Sequence, residues 1–253
     1  VKLLTGVDAT SDEMMDAARS AASKAGPRGT LWFVFIGHGA PASDGKDGLL
    51  VAVDAQQKAK SLERNSVRRN DLLKALAQSQ SGSIRVLLDA CFSGKREDGS
   101  SIAPGLQPLV TVAMAEPSDP RMVVLTAAKA DQFAGSLPGA RRPAFSYLVL
   151  GGLRGWAGKA TVTAGDLWRY ASDALEATLR GRNQTPELMG NKASAMAPSA
   201  GERGPDLAAL AKATAGGSAK DEMFRVSNLP VVPRAEAPKA LGQAASGLDL
   251  GNV

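Results

Sequence analysis

Ile84-Arg85-Val86-Leu87-Leu88-Asp89-Ala90-Cys91-Phe92-Ser93-Gly94 reads as one apolar strand that breaks in a turn. A short apolar run bounded by turn residues is what a strand buried on both faces of a parallel sheet requires. Leu31-Trp32-Phe33-Val34-Phe35-Ile36, running into Gly37-His38-Gly39, has the same character, and so does Met122 to Ala127. Helical patterns lie between these runs. The first spans about Ser11 to Ala25, with Thr10 and Glu13 at capping-box spacing and Gly26-Pro27 as its stop. Asn70 caps a second through Ala77, which carries Leu72, Leu73 and Leu76. Ala144 to Leu153 forms a third, and Thr163 to Leu179 a fourth with Leu167, Tyr170, Ala171, Ala174 and Leu175 on one face. Val1 to Thr5 reads as a further strand, and Gly48 to Asp54 follows a Gly- and Asp-rich loop or hairpin. This alternation predicts an α/β domain around a mostly parallel sheet, from residue 1 to about 190.

The composition agrees with one large domain plus an appendage: 253 residues, 44% hydrophobic and 22% charged. From Asn191 the chain turns rich in Ala, Gly, Ser and Pro, so residues 191–253 are expected to be a low-complexity tail, or a docking segment that wraps back on the domain. One cysteine forms no intramolecular disulfide and leaves no Cys/His cluster for structural zinc. No apolar run approaches the ~20 residues of a membrane span. The net charge of +5 is scattered in pairs such as Arg68-Arg69, and aromatics make up only 4%, which argues against nucleic acid as a partner. A reduced thiol and no membrane segment give a cytoplasmic expectation.

In open parallel sheets, reactive groups gather beyond the carboxyl ends of the strands. Two such ends here carry His38 and Cys91, the only histidine and the only cysteine in the chain. A thiol nucleophile needs a nearby imidazole to stabilise the deprotonated sulfur and to protonate the leaving amine. Taken singly, Cys91 reads as a small buried hydrophobe and His38 as a turn residue. Their placement in equivalent glycine-bearing turns makes them a candidate Cys/His dyad.

Ile36-Gly37-His38-Gly39 and Asp89-Ala90-Cys91-Phe92-Ser93-Gly94 resemble the His-Gly and Asp-x-Cys-x-Ser-Gly boxes of caspase-like cysteine peptidases, particularly bacterial caspase homologues and metacaspases. A histidine about 50 residues upstream of the cysteine fits that pattern. Ala130-Asp131-Gln132, Ala144-Phe145-Ser146-Tyr147 with Gly151-Gly152-Leu153, and Arg182-Asn183-Gln184-Thr185-Pro186 resemble later segments of the same family in the same order. The resemblance covers Val1 to about Gly190 and implies a caspase-like three-layer α-β-α sandwich. It also implies an endopeptidase in which Cys91 attacks the scissile carbonyl, His38 shuttles the proton, and the amides of Gly39 and Cys91 bind the oxyanion.

In metacaspases the residue matching Asp89 lines the pocket for a basic P1 side chain, so cleavage after Arg, then Lys, is expected, with Asp131 a second pocket candidate. The alternative for Asp89 is a cap on turn amides. Ile36 departs from the small polar residue that many metacaspases carry there. Asp44, Asp47, Asp54 and Asp98 are weak calcium candidates, their other reading being solvated loop acids. Lys95-Arg96 and Arg141-Arg142 are self-cleavage candidates in Gly/Pro-rich loops, their alternative being surface charge. The family's first strand and helix have no counterpart here, which leads to the expectation of an upstream fragment of the same protein completing the sheet, and of activation by proteolysis, by a separate protease or by itself. The rival readings are a catalytically silent scaffold or adaptor binding partner proteins, and an amidase acting on small substrates.

Overall fold

In chain order the elements are α1 (Ser11–Lys24), β1 (Thr30–Ile36), β2 (Gly39–Pro41), β3 (Gly48–Val51), α2 (Ala59–Arg64), β4 (Ser66–Arg68) and α3 (Arg69–Ala77). After these come β5 (Ser83–Asp89), β6 (Met122–Thr126), α4 (Ala144–Gly151), β7 (Thr161–Thr163), α5 (Ala164–Thr178), β8 (Glu187–Met189) and β9 (Ala195–Pro198). They come from a computed structural model that describes residues 1–95, 100–103, 116–137, 143–179 and 183–204.

The central sheet has the order β1-β5-β6-β8. β1, β5 and β6 are parallel, as their continuous apolar character predicts, and β8 closes the far side antiparallel. Successive side chains of a strand point to opposite faces, and the two cores follow from that. Ile84, Val86 and Leu88 pack with Leu31, Met122 and Val124 beneath α1 and α3. Leu87, Val123 and Leu125 pack on the other face with α4 and α5 through Phe145, Leu148, Leu167, Ala171 and Leu175. The chain is thus mixed α/β, with a mostly parallel sheet between two helical layers. No helix among the described residues is long and apolar enough to cross a membrane.

Helix boundaries follow the capping chemistry. Thr10 Oγ1 accepts from Glu13 N–H at the start of α1, and Thr163 and Asp166 complete a reciprocal capping box on α5. α3 ends on Arg121, whose guanidinium donates to the carbonyls of Ala77, Ser79 and Ser81 at 2.7–2.9 Å, placing a cation at the negative end of the helix. α4 runs on into a wider helical turn, Gly152–Trp156, which closes with Gly155 at φ +134°, a backbone conformation that favours glycine.

Two expectations need correcting. Val1–Thr5 is not a strand: it runs without regular structure into a single turn at Gly6–Asp8, and Val1 and Leu3 are exposed. A strand exists only by pairing, and this segment lies in no ladder. β1 is the terminal strand of the described sheet, with Val34 and Ile36 half-exposed along it. The boundary at 190 also falls too early. β9 pairs with β7, Met196 enters the core, and Ala195 O accepts from Arg85 Nε and Nη2 at 3.3 and 3.0 Å. Residues 191–204 are therefore part of the domain, whereas 205–253 lie outside the described residues.

Arg85 is 5% exposed, and its guanidinium donates to the carbonyl oxygens of Ile84, Arg121 and Ala195. Replacing it takes the side-chain donor from Ala195 O, far along the chain, and leaves Arg121 O with the Ile84 N–H alone. Arg85→Met is expected to lower stability by about 2 kcal/mol in urea titration and to hasten tryptic cleavage at Lys192, beside the segment it pins.

Candidate active site

The register Ile36↔Asp89 ends the β1–β5 ladder, and Gly37 N–H donates to Asp89 O at 3.1 Å just beyond it. His38 and Cys91 each follow two residues after that last pair, so they leave neighbouring parallel strands at equivalent positions. The chains stay close there: a Cβ on Gly39 would lie 2.5 Å from the carbonyl oxygen of Cys91. Only glycine allows that approach. His38 O accepts from Val51 N–H at 2.9 Å, which ties the histidine turn to β3, and the imidazole-bearing residue is exposed. Cys91 is 5% exposed.

Burial pushes the Cys91 thiol above its ordinary value, and the negative charge of Asp89 adds to that. The backbone amides of Ala134, Cys91 and Gly39 favour the thiolate and pull the other way, and burial wins. Gly39 and Cys91, expected as oxyanion donors, are thus brought to the sulfur together. The thiol also contacts Lys95 O at 3.8 Å; Lys95 forms an antiparallel bridge with Ser101, and Ile102 N–H donates to Gly94 O.

Asp89 is 6% exposed, and its Oδ2 accepts from Ser146 N–H at 2.8 Å in the first turn of α4. The capping alternative is therefore real, with a helix start rather than the turn as its object, and an anion is favoured there by the helix dipole. Asp131 is exposed in the turn after β6, and its charge bears on Glu187, whose carboxyl is pushed up mainly by burial. Lys95 is exposed through its side chain. Arg96, Arg141, Arg142 and Asp98 lie outside the described residues.

The remaining acids are not gathered into a metal site, and no group of three metal-ligating side chains occurs among the described residues. Asp44 pairs with Arg68 at 2.9 Å and accepts from Lys46 N–H. Asp47 is buried against Arg69, at 3.5 Å, and accepts from the amides of Gly48 and Asn70. Asp54 accepts from the amide and hydroxyl of Ser11 at the start of α1. Each has a structural partner of its own.

Two groups at the site have no signal of their own in the sequence: the Ser146 amide that donates to Asp89, and the Ala134 amide, which favours the thiolate of Cys91. A backbone donor leaves no side-chain signature, so only the surrounding Asp131-Gln132 and Phe145-Ser146-Tyr147 segments could have pointed to them. An open hollow of about 630 Å³ beside Trp156, Lys159, Glu202 and Arg203 shares none of its lining with these residues.

No protein-family model matches the chain, and no curated protein matches it. Among solved structures it is similar to protein GSU0716 from Geobacter sulfurreducens, at 16% identity and a TM-score of 0.53, covering 76% of this chain and 77% of that one. At that identity the likeness concerns the fold alone.

Two outcomes follow from the geometry. Alkylation of Cys91 by iodoacetamide is expected to be slow at neutral pH and still accelerating above about pH 9, past the ordinary thiol range; a plateau below pH 8 would contradict the raised thiol. Gly39→Ala is expected to cost about 1–3 kcal/mol in thermal unfolding, because the new Cβ meets backbone that must move.

Proposed function

We propose that this protein is a caspase-like cysteine endopeptidase that cleaves protein substrates after Arg, or secondarily Lys, through a Cys91/His38 dyad. The observation that carries the reading is the pairing of the chain's only cysteine with its only histidine at register-equivalent positions past adjacent parallel strands. Asp89 lies two residues before the sulfur-bearing one, buried and with its side chain on the α4 side of the sheet. The three-layer arrangement and the strand-end location are those that a caspase-like fold would need.

In this mechanism His38 takes the proton from the Cys91 thiol as sulfur attacks the carbonyl carbon of the scissile bond. The N–H groups of Gly39 and Cys91 hold the oxyanion. Collapse breaks the C–N bond, the amine leaves with the proton from His38, and a thioester remains on Cys91. Water, deprotonated by His38, attacks the thioester and frees the second product and the thiol. Asp89 binds the guanidinium or ammonium of the P1 residue.

The raised thiol and the Lys95 carbonyl against the sulfur support a resting form of low reactivity, one that proteolytic processing by itself or by another protease would release. The same features favour a second reading, a caspase-fold adaptor that binds partner proteins and performs no chemistry.

Hydrolysis of fluorogenic peptides with Arg, Lys, Asp or Leu at P1, with and without calcium, separates these. Arg or Lys turnover abolished by Cys91→Ala is the expected result, and Asp89→Asn is expected to lower kcat/KM for the Arg peptide by on the order of a hundredfold. Turnover after Asp would keep the peptidase and remove Asp89 from the pocket. Absence of turnover in every condition would favour the adaptor.

A further inference from the structure

His38 runs directly into β2, so what fixes the β2–β3 hairpin also fixes the turn that carries the imidazole. The ladder is Gly39↔Leu50, Ala40↔Leu49 and Pro41↔Gly48, and β4 extends it with Arg68 opposite Leu49. The hairpin closes through residues 42–47, where Ala42 N–H donates to Asp47 O and Gly45 N–H to Ala42 O, both at 2.9 Å. Two side chains grip that turn from outside. Arg68 Nη1 donates to Asp44 Oδ2 at 2.9 Å in the turn, and Arg68 Nη2 donates to Glu63 Oε1 on α2. Glu63 completes a ring, since its Oε2 accepts from Ser43 N–H at 2.8 Å. Leu62, the neighbour of Glu63 on α2, packs with Ala40, Ala42 and Leu49 of the same hairpin. The side chains of Arg68 and Glu63 are largely shielded, 31% and 28% exposed.

We propose that Arg68 and Glu63 are positioning residues that clamp the 43–47 turn to α2 and, through β2, set the direction in which His38 is presented. That the histidine then moves a proton rests on the peptidase reading; the clamp does not. A two-stranded hairpin is marginal by itself, and an isolated exposed ion pair contributes little. Here one guanidinium joins two carboxylates, each of which also accepts a backbone amide of the turn, Asp44 from Lys46 and Glu63 from Ser43. The ring therefore restrains main chain as well as side chains. A catalytic base is commonly oriented by a third group hydrogen-bonded to it. His38 is exposed and has no side-chain hydrogen bond among the described residues, so the aim of its imidazole depends on the backbone that carries it. Arg68, Asp44 and Glu63 thereby gain a role that neither surface charge nor calcium binding would give them.

His38 is the only histidine, so its Cε1–H gives a single imidazole signal in proton–carbon NMR of the full chain, prepared without a histidine tag. The test compares that signal, together with thermal unfolding, for wild type, Arg68→Leu, Arg68→Lys, Glu63→Leu and Lys46→Gln. Arg68→Leu is expected to move the signal and to broaden it, as the released turn samples more than one arrangement. Arg68→Lys reaches a carboxylate as a point charge without the fork of a guanidinium, and is expected to recover part of the wild-type position. Glu63→Leu frees Ser43 N–H and Arg68 together; it is expected to act like Arg68→Leu and decides the matter if that variant does not fold. Lys46→Gln removes a like charge from the same turn while its amide still serves Asp44, so its signal is expected to stay with wild type. A displacement in Lys46→Gln equal to that in Arg68→Leu would reduce the effect to charge alone and overturn the proposal. So would a folded Arg68→Leu or Glu63→Leu whose signal superimposes on that of wild type. If peptides are cleaved, kcat for Arg68→Leu is expected to fall by on the order of tenfold with KM little changed. Displaced signals with no peptide cleavage in any condition would sink the peptidase reading and leave the clamp standing.

Discussion

The parallel ladder between β1 and β5 is the constraint on which the remainder depends. Its seven-residue register, from Thr30↔Ser83 to Ile36↔Asp89, fixes which side chains of both strands share a face and where both strands stop. A slip of one residue would exchange the faces of a whole strand, moving Ile84, Val86 and Leu88 out from under α1 and α3. It would also separate His38 from its position across from Cys91. The ladder is locked at its start by a contact between the hydroxyls of Thr30 and Ser83 at 2.9 Å, and at its end by the Gly37 amide on Asp89 O. Core packing and candidate chemistry are thus set by one register.

Beyond the ladder the site is built from backbone, which explains why glycine is needed there. Gly39 lies so close to the Cys91 carbonyl that a side chain is excluded. Phe92, fully buried, fills the space under Gly39 and Gly48 and packs the turn after β5 against β2 and β3. Gly39 is held by the small β2–β3–β4 sheet, and the segment from Ala127 to Gly135 by Gln184 and Gln132. Donors fixed in advance need no reorganisation when charge develops, whereas a mobile loop would lose that advantage.

What was legible in the sequence is what periodicity and caps encode. The apolar runs at Ile84 and Met122 are strands because nothing else buries both faces of such short segments; the run at Leu31 shares their composition but ends the described sheet, with only Leu31 buried; and Thr10 and Thr163 start helices through their own hydroxyls. The unique His38 and Cys91 were findable as strand-end residues. Val1–Thr5 has the β-propensity of a strand but no ladder to join, and propensity says nothing of whether a neighbouring strand exists. Residues 191–204 look like a tail in their Ala, Gly, Ser and Pro, and of the two expectations for them the docking segment is the one that fits, held by β7 and by Arg85 far upstream. α2 was missed, being a single short helix with no cap side chain. Asp44, Asp47 and Asp54 look alike in sequence, and their separate ties to Arg68, Arg69 and Ser11 are tertiary.

Asp89 links the two halves of the proposed chemistry. It accepts from Ser146 at the start of α4, so its position is fixed by a helix before any substrate arrives. Its charge opposes ionisation of Cys91, together with the larger effect of burial. On the peptidase reading, a guanidinium pairing with Asp89 would cancel that repulsion as it fills the pocket, so the side chain that is selected would also ease formation of the thiolate. A leucine or aspartate at the same place would leave the repulsion in force, and aspartate would add to it. Discrimination would then act on the reactivity of the sulfur as well as on binding, because one buried carboxylate would serve both the proposed pocket and the nucleophile.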